Sequence, residues 1–218
     1  MQFLFPVEKL YITQKYGAKS SRYASGFHMG LDIRAAKHTP IFAAQSGTVV
    51  VANDIGPFDG YGGKVVIDHG DKTYTVYGHL DKVWCKVGDT VEKGQQIGLS
   101  GGRPGDYPKT KGFTKAGNSS GYHLHWEADR GGIGAKFSYD PTPFTTHDPD
   151  IHKKYLISSQ LKTMAQQVSA WAIDAQRRLL NKGVTDGSRP KDKITREEAW
   201  VMFDRVLALI DKDYVKKA

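Results

Sequence analysis

The chain has 218 residues and a formal net charge of +8, with 39% hydrophobic and 25% charged residues and a single cysteine. That balance is ordinary for a folded globular chain and argues against disorder. A lone cysteine rules out an internal disulfide framework, and no apolar run reaches the roughly 18 residues a membrane-spanning helix needs. The length suits one large domain or two small ones. The N-terminal stretch MQFLFPVEKLYITQKYG lacks a basic segment followed by a long apolar core. Signal-peptide export is therefore not expected, and the chain is expected to be made in the cytoplasm. The charge is uneven: residues 151–218 carry 14 Lys and Arg against 8 Asp and Glu, a surplus of 6 that leaves 2 for residues 1–150. A basic tail suits an anionic partner, with a solvated helical surface as the plain alternative.

Residues 1 to about 145 are rich in Gly, Val, Thr and aromatics and read as short strands between glycine turns. TPIFAAQSGTVVVAND, GGKVVIDHGDKTYTVYGHL and DTVEKGQQIGLSGG each cluster or alternate apolar residues in this way. The expected fold is mainly β, an antiparallel sandwich or barrel-like domain over residues 1–146. Val87, Val91 and Ile97 are expected to pack inward, and Cys85 reads as a small buried residue. RPGDYPKTKGFTKAGNSSG is a long loop that leads directly into GYHLHWEAD. SYDPTPFTTHDPD closes the β region with prolines no helix interior tolerates. Residues 147–157 then read as a linker. In 158–218, Leu161, Met164, Val168, Trp171, Ala175 and Leu179 step by three and four, as one face of a helix. Gly183 follows as a stop, and Thr195 with Glu198 opens a second helix as a capping box. A small α-helical C-terminal module is the expectation.

The chemistry concentrates in histidines. In a strand, His123 and His125 share one face, with Leu124 and Trp126 on the other, and their Cα atoms lie about 6.6 Å apart. Two such imidazoles can serve one site, one as metal ligand and one facing a bound water. GFHMGLDIRAA sets His28 four residues before Asp32. A straight strand would separate them by about 13 Å, so a bend at Gly30 must bring them together if they share an ion. YTVYGHLDKV puts His79 just after a strand. Together these fragments supply imidazoles and a carboxylate for zinc, with histidines to spare for moving protons. No HExxH occurs, so a glutamate base of that helical type is absent.

FHMGLDIRA, TPIFAAQSGTVV, GGKVVIDHGDKTYTVYGHLD, VKVGDTVEKGQQIGLSGG and SGYHLHWE stand in an order that resembles the lysostaphin-like, LytM-type zinc endopeptidases, over about residues 26–130. The resemblance implies an antiparallel β fold with a narrow groove, one Zn²⁺ per catalytic domain, and hydrolysis of peptide bonds in bacterial peptidoglycan. It makes His28, Asp32 and His125 the expected zinc ligands, and His79 and His123 the expected catalytic pair. The segment between Gly102 and Gly117 is long where many relatives have a short turn, and is expected to wall the groove. Tyr16 and Tyr23, ahead of His28, could contact substrate or oxyanion but read better as surface aromatics.

VKVGDTVEKGQQIG also resembles a hairpin of biotinyl and lipoyl carrier domains, without their Met-Lys turn. WAIDAQRRLLNKGVTDGSRPKDKITREEAW is similar to one unit of the S-layer-homology type, so the tail is expected to bind wall, oligomerise or cap the enzyme. The layout suggests a phage endolysin that reaches the wall after release from the cell. Its partners are then peptidoglycan and, through the basic tail, anionic wall polymers, with no membrane insertion. The competing readings are an inactive relative that binds wall or activates another hydrolase, and a lytic component of a phage tail. A nucleic-acid binder fits poorly, because the β region is nearly neutral.

Overall fold

The computed structural model describes residues 1–53, 60–108 and 115–157. The chain divides into two compact units, Met1–Leu156 and Ile157–Ala218; all but the first residue of the second, and with it the expected helical module over 158–218, lies outside the described residues.

The strands are β1 (Phe3–Leu4), β2 (Ile12–Gln14), β3 (Leu31–Arg34), β4 (Pro40–Phe42), β5 (Gly47–Asn53) and β6 (Gly63–Asp68). They continue with β7 (Thr73–Val83), β8 (Thr90–Val91), β9 (Gln96–Ser100), β10 (His123–Arg130), β11 (Ser138–Tyr139) and β12 (Thr145–Thr146). Among the described residues, ten of these form one branched antiparallel sheet along β2-β3-β10-β7-β6-β5-β8, with β11 beside β10 and β9 joining β4 to β7. β1 and β12 make a short parallel pair that ties the N-terminus to the end of the β region. The four residues 69–72, with Gly70 among them, join β6 to β7, too short a link for anything but antiparallel pairing.

One face of the sheet builds the core. Leu31 and Ile33 of β3, Val65 and Ile67 of β6, Tyr77 and Leu80 of β7, and Leu124 and Trp126 of β10 are all essentially buried. Trp126 meets the edges of the Phe3 and Phe5 rings at 6.1 and 5.8 Å, an edge-to-face arrangement that suits the ring quadrupoles. Leu124 and Trp126 thus point away from His123 and His125, as alternation requires. Val91 and Ile97 are buried as expected, but Val87 is 62% exposed. It stands in the turn before Gly88, beyond the alternation of either strand. Cys85 is only partly buried, with Sγ 3.9 Å from the Ile97 carbonyl.

Residues 149–157, in the stretch read as a linker, are helical. His152 is fully buried and its ring stacks on Phe42 at 4.2 Å.

Candidate metal centre and active site

The centre strands bring the site together through register. In the β3–β10 pair, Asp32 stands directly opposite His125, and His123 opposite Arg34. In the β10–β7 pair, His125 faces Gly78. Opposed residues in an antiparallel pair have Cβ atoms only about 5 Å apart, so Asp32 and His125 meet without further construction. The chain bends at Gly30, directly before β3. A side chain there would strike the Trp126 carbonyl at 2.4 Å; only glycine lets the chain pass β10 this closely. The bend carries His28 back over the sheet, where its own backbone is paired to Gly17 and Ala18.

His79 reaches the same face by another device. It lies inside β7, not after it, and there β7 carries one extra residue relative to β6, between the Val65–Tyr77 and Gly63–Leu80 pairs. Its φ is 62°, a left-handed conformation that costs a side-chain-bearing residue about 1–3 kcal/mol. Simple alternation would send His79 to the core side with Tyr77. The bulge turns it to the side of Gly78, as bulges beside active sites commonly do. Backbone bonds on both sides hold it: its N–H donates to the Tyr61 carbonyl, and its carbonyl accepts from Gly101.

Three donor atoms converge. His28 Nε2, Asp32 Oδ1 and His125 Nδ1 are separated by 3.1, 3.0 and 2.9 Å, and among the described residues these three form a cluster able to ligate a metal ion. Donors about 2.05 Å from a tetrahedral ion would stand about 3.3 Å apart, so the triangle has the right size. The tautomers agree. His28 Nδ1 donates to the Lys15 carbonyl at 3.0 Å, and His125 Nε2 donates to Glu127 Oε1 at 2.7 Å. Each ring is left with a bare nitrogen aimed at the other and at a carboxylate oxygen. Donor atoms this close need a proton or a metal cation among them, and an N,N,O set with both outer nitrogens already protonated suits zinc. The residues present therefore fit the ion.

With no ion between them, the same groups draw a proton to this spot, and the electrostatics show that pull toward positive charge. Burial opposes ionisation of Asp32, but hydrogen bonds with His125 and His28 outweigh it and hold the carboxyl well below the usual range. Burial would likewise keep His125 neutral, yet Asp32 and Glu127 on its two nitrogens push it up to about 9. His79 moves the other way, down to about 3, through burial and the neighbouring His123 and His125.

His79 and His123 flank the triangle, their rings 4.6 Å apart. His79 Nδ1 donates to the Ala116 carbonyl at 2.8 Å. His123 Nδ1 donates to the Gly121 carbonyl at 3.0 Å, and its Nε2 stands 3.5 Å from Asp32 Oδ1. All five expected site residues thus occupy one face, three as a donor triangle and two beside it.

Tyr16 and Tyr23 separate. Tyr16 donates to the Ser138 carbonyl at 2.9 Å and packs edge-on against Phe27, a structural post. Tyr23 stacks on His28 with ring centres 5.2 Å apart; burial, then the charge of Asp32, raises its hydroxyl pKa. Glu127 has no role in the sequence reading, although the alternation of HLHWE sets it on the face of His125. It is fully buried, and besides His125 it accepts a hydrogen bond from the Tyr61 hydroxyl at 2.8 Å. The carbonyls of Lys15, Ala116 and Gly121 leave no signature in a sequence, since every residue has one.

With this geometry in view, comparison with known proteins decides the family. Residues 26–136, half of the chain, match the model of peptidase family M23. The chain belongs to peptidase family M23. Among curated M23-like relatives it is 40% identical over 101 residues to an uncharacterised metalloprotease of Haemophilus influenzae, covering 46% of this chain and 18% of that one. It is 36% identical over 100 residues to the peptidoglycan DD-endopeptidase ShyA of Vibrio cholerae, covering 46% and 20%. It is 36% identical over 87 residues to Endolysin 2638A of Staphylococcus phage 2638A, covering 39% and 17%. The matched region therefore spans about a fifth of the length of these relatives. Among solved structures, the catalytic domain of the antimicrobial peptidase lysostaphin from Staphylococcus simulans superposes with a TM-score of 0.53 at 30% identity, over 62% of this chain and 91% of that domain.

Proposed function

We propose that this M23 chain is a zinc-dependent endopeptidase that hydrolyses peptide bonds in bacterial peptidoglycan. The observation that carries the reading is the triangle of His28 Nε2, Asp32 Oδ1 and His125 Nδ1, about 3 Å on a side, with both imidazole tautomers set so that their lone pairs face inward. Relatives named as peptidoglycan endopeptidases support the substrate class.

In this reading His28, Asp32 and His125 hold one Zn²⁺. Bound there, the ion would polarise the scissile carbonyl and acidify its water. His79 and His123 each have Nδ1 committed to a backbone carbonyl, so only Nε2 is free for proton transfer. One bare Nε2 takes the proton of the attacking water, and the other ring supports the carbonyl oxygen as it gains negative charge when it carries a second proton, on Nε2. His79, buried and with its pKa pushed down to about 3, enters the reaction neutral. Glu127 holds the His125 ring from behind and adds negative charge to it.

The likeness to a phage endolysin supports deployment as a lytic enzyme that is made in the cytoplasm and acts on the wall after release. The surplus of basic residues in 151–218 supports contact with anionic wall polymers. The test is lysis of purified walls with and without a chelator, with mass spectrometry of the released fragments. New peptide termini that appear only with zinc present support the reading. Full activity after complete zinc removal, or release of sugar ends without peptide cleavage, overturns it.

A further inference from the structure

The long segment after Gly102 is fastened to the catalytic face at several points, and its described residues do more than wall a groove. At its start, the Gly101 N–H donates to the His79 carbonyl, and Gly101 bridges to His123. Gly102 sits where a side chain would meet the Gly121 carbonyl at 2.8 Å and the His79 Cβ at 3.3 Å. At its end, the Ala116 carbonyl accepts from His79, while the Gly121 carbonyl accepts from His123 with Ser119 Oγ 3.3 Å from the same nitrogen. Both candidate proton carriers thus take their tautomer from the backbone of this one segment.

One side-chain cluster pins the segment's two arms together. Asp106, in the 3-10 turn Pro104–Asp106, accepts from the Tyr122 hydroxyl at 2.6 Å and pairs with Lys37 Nζ at 2.9 Å. Hydrogen bonds from Tyr122 and then Lys37 hold the Asp106 carboxyl below its usual range, so it is ionised near neutrality. The Arg103 guanidinium lies 5.8 Å from the Tyr122 ring centre. Tyr122 is the residue between Gly121, which fixes His123 Nδ1, and His123 itself. An exposed ion pair such as Lys37–Asp106 stabilises a fold by little, whereas the charge-assisted bond from the phenol is short and directional.

We propose that Asp106 is a positioning residue for His123: by gripping Tyr122 it fixes the Gly121 carbonyl, and that carbonyl keeps the His123 proton on Nδ1 and Nε2 free. The inference rests on the peptidase reading above and assigns the segment a task within it. Released from the clamp, His123 samples the other tautomer and other ring orientations, so turnover falls while the metal and the substrate still bind.

The test uses the 218-residue chain loaded with zinc and the variants Asp106→Ala, Tyr122→Phe and the double variant. Expected for each single variant is a drop in kcat of about tenfold, a part of the roughly 10²–10⁴-fold that a proton-transfer group contributes. KM should stay within about twofold and zinc content at one per chain. The double variant should lose no more than either single one, because both cut the same link. Nitrogen-15 NMR of the imidazoles supplies a readout that does not need activity: the His123 signals should shift from the Nδ1–H pattern, while those of His28 and His125 stay. Unchanged kcat with unchanged His123 signals overturns the proposal. So does a rise in KM at constant kcat, which would make the segment a substrate-contact wall. If Asp106→Ala does not fold, Tyr122→Phe, which removes one hydroxyl, decides the matter alone. A wild-type chain without peptidase activity would sink the functional reading, and the imidazole spectra would still judge the clamp.

Discussion

His28 gives its Nδ1 proton to Lys15, His125 gives its Nε2 proton to Glu127, and His79 and His123 give theirs to Ala116 and Gly121. The second nitrogen of each ring is therefore what separates ligand from proton carrier. His125→Ala removes one corner of the donor triangle and should abolish zinc binding and activity together. His123→Ala leaves the triangle whole; zinc content should stay near one per chain while kcat falls by about 10² or more. Metal analysis beside single-substrate kinetics checks both, and equal zinc loss in the two variants would erase the division of labour. Glu127→Gln keeps a hydrogen-bond acceptor near His125 but deletes a buried charge. It should weaken zinc affinity by about 10- to 100-fold, as read by competition with a chelator of known strength. Unchanged affinity would reduce Glu127 to a packing role.

At the scale of elements, alternation made most of the site legible. HLHWE read as a strand puts His123, His125 and Glu127 on one side and buries Leu124 and Trp126 on the other, and β10 does so. The bend at Gly30 was legible too, from the mismatch between a straight strand and a shared ligand. His79 was not, because a bulge adds a residue to one strand only and no local pattern in YTVYGHLDKV announces it. Val87 escaped for a related reason: turn residues obey the geometry of the turn rather than the period of the strands it joins. The helical residues 149–157 carry a prediction of their own. His152 is fully buried, its ring stacked on Phe42. Burial, and next the charge of His147, lowers its pKa from 6.5 to about 4. The unfolded chain thus binds a proton here that the folded chain refuses between those values. The neutral ring's contribution is intact above about 6.5 and is lost as pH falls toward 4, by an amount of order 2 kcal/mol. Thermal unfolding of wild type and His152→Phe from pH 7.5 to 4.5 measures it. The wild type should lose stability faster through that window, and parallel curves would contradict the assignment.

For the whole molecule, the order of five short motifs along 218 residues identified the fold family, while composition alone reached only a mainly β chain. Long-range pairing does the rest: Asp32 and His125 lie 93 residues apart and face each other only because β3 and β10 are neighbours in that register. The uneven charge leads to a prediction at this scale. Binding of the full chain to purified walls should weaken as salt rises across the physiological range, and should fall when anionic polymers are stripped from those walls. Binding indifferent to both treatments would remove the basic residues of 151–218 from any targeting role. The central claim is that three side chains close around one divalent ion, and anomalous diffraction at the zinc edge from crystals of this 218-residue chain tests it most directly. The account predicts one peak within about 2.0–2.2 Å of His28 Nε2, Asp32 Oδ1 and His125 Nδ1; a zinc-supplemented crystal with no peak there, or with Asp32 turned away from both imidazoles, would contradict it.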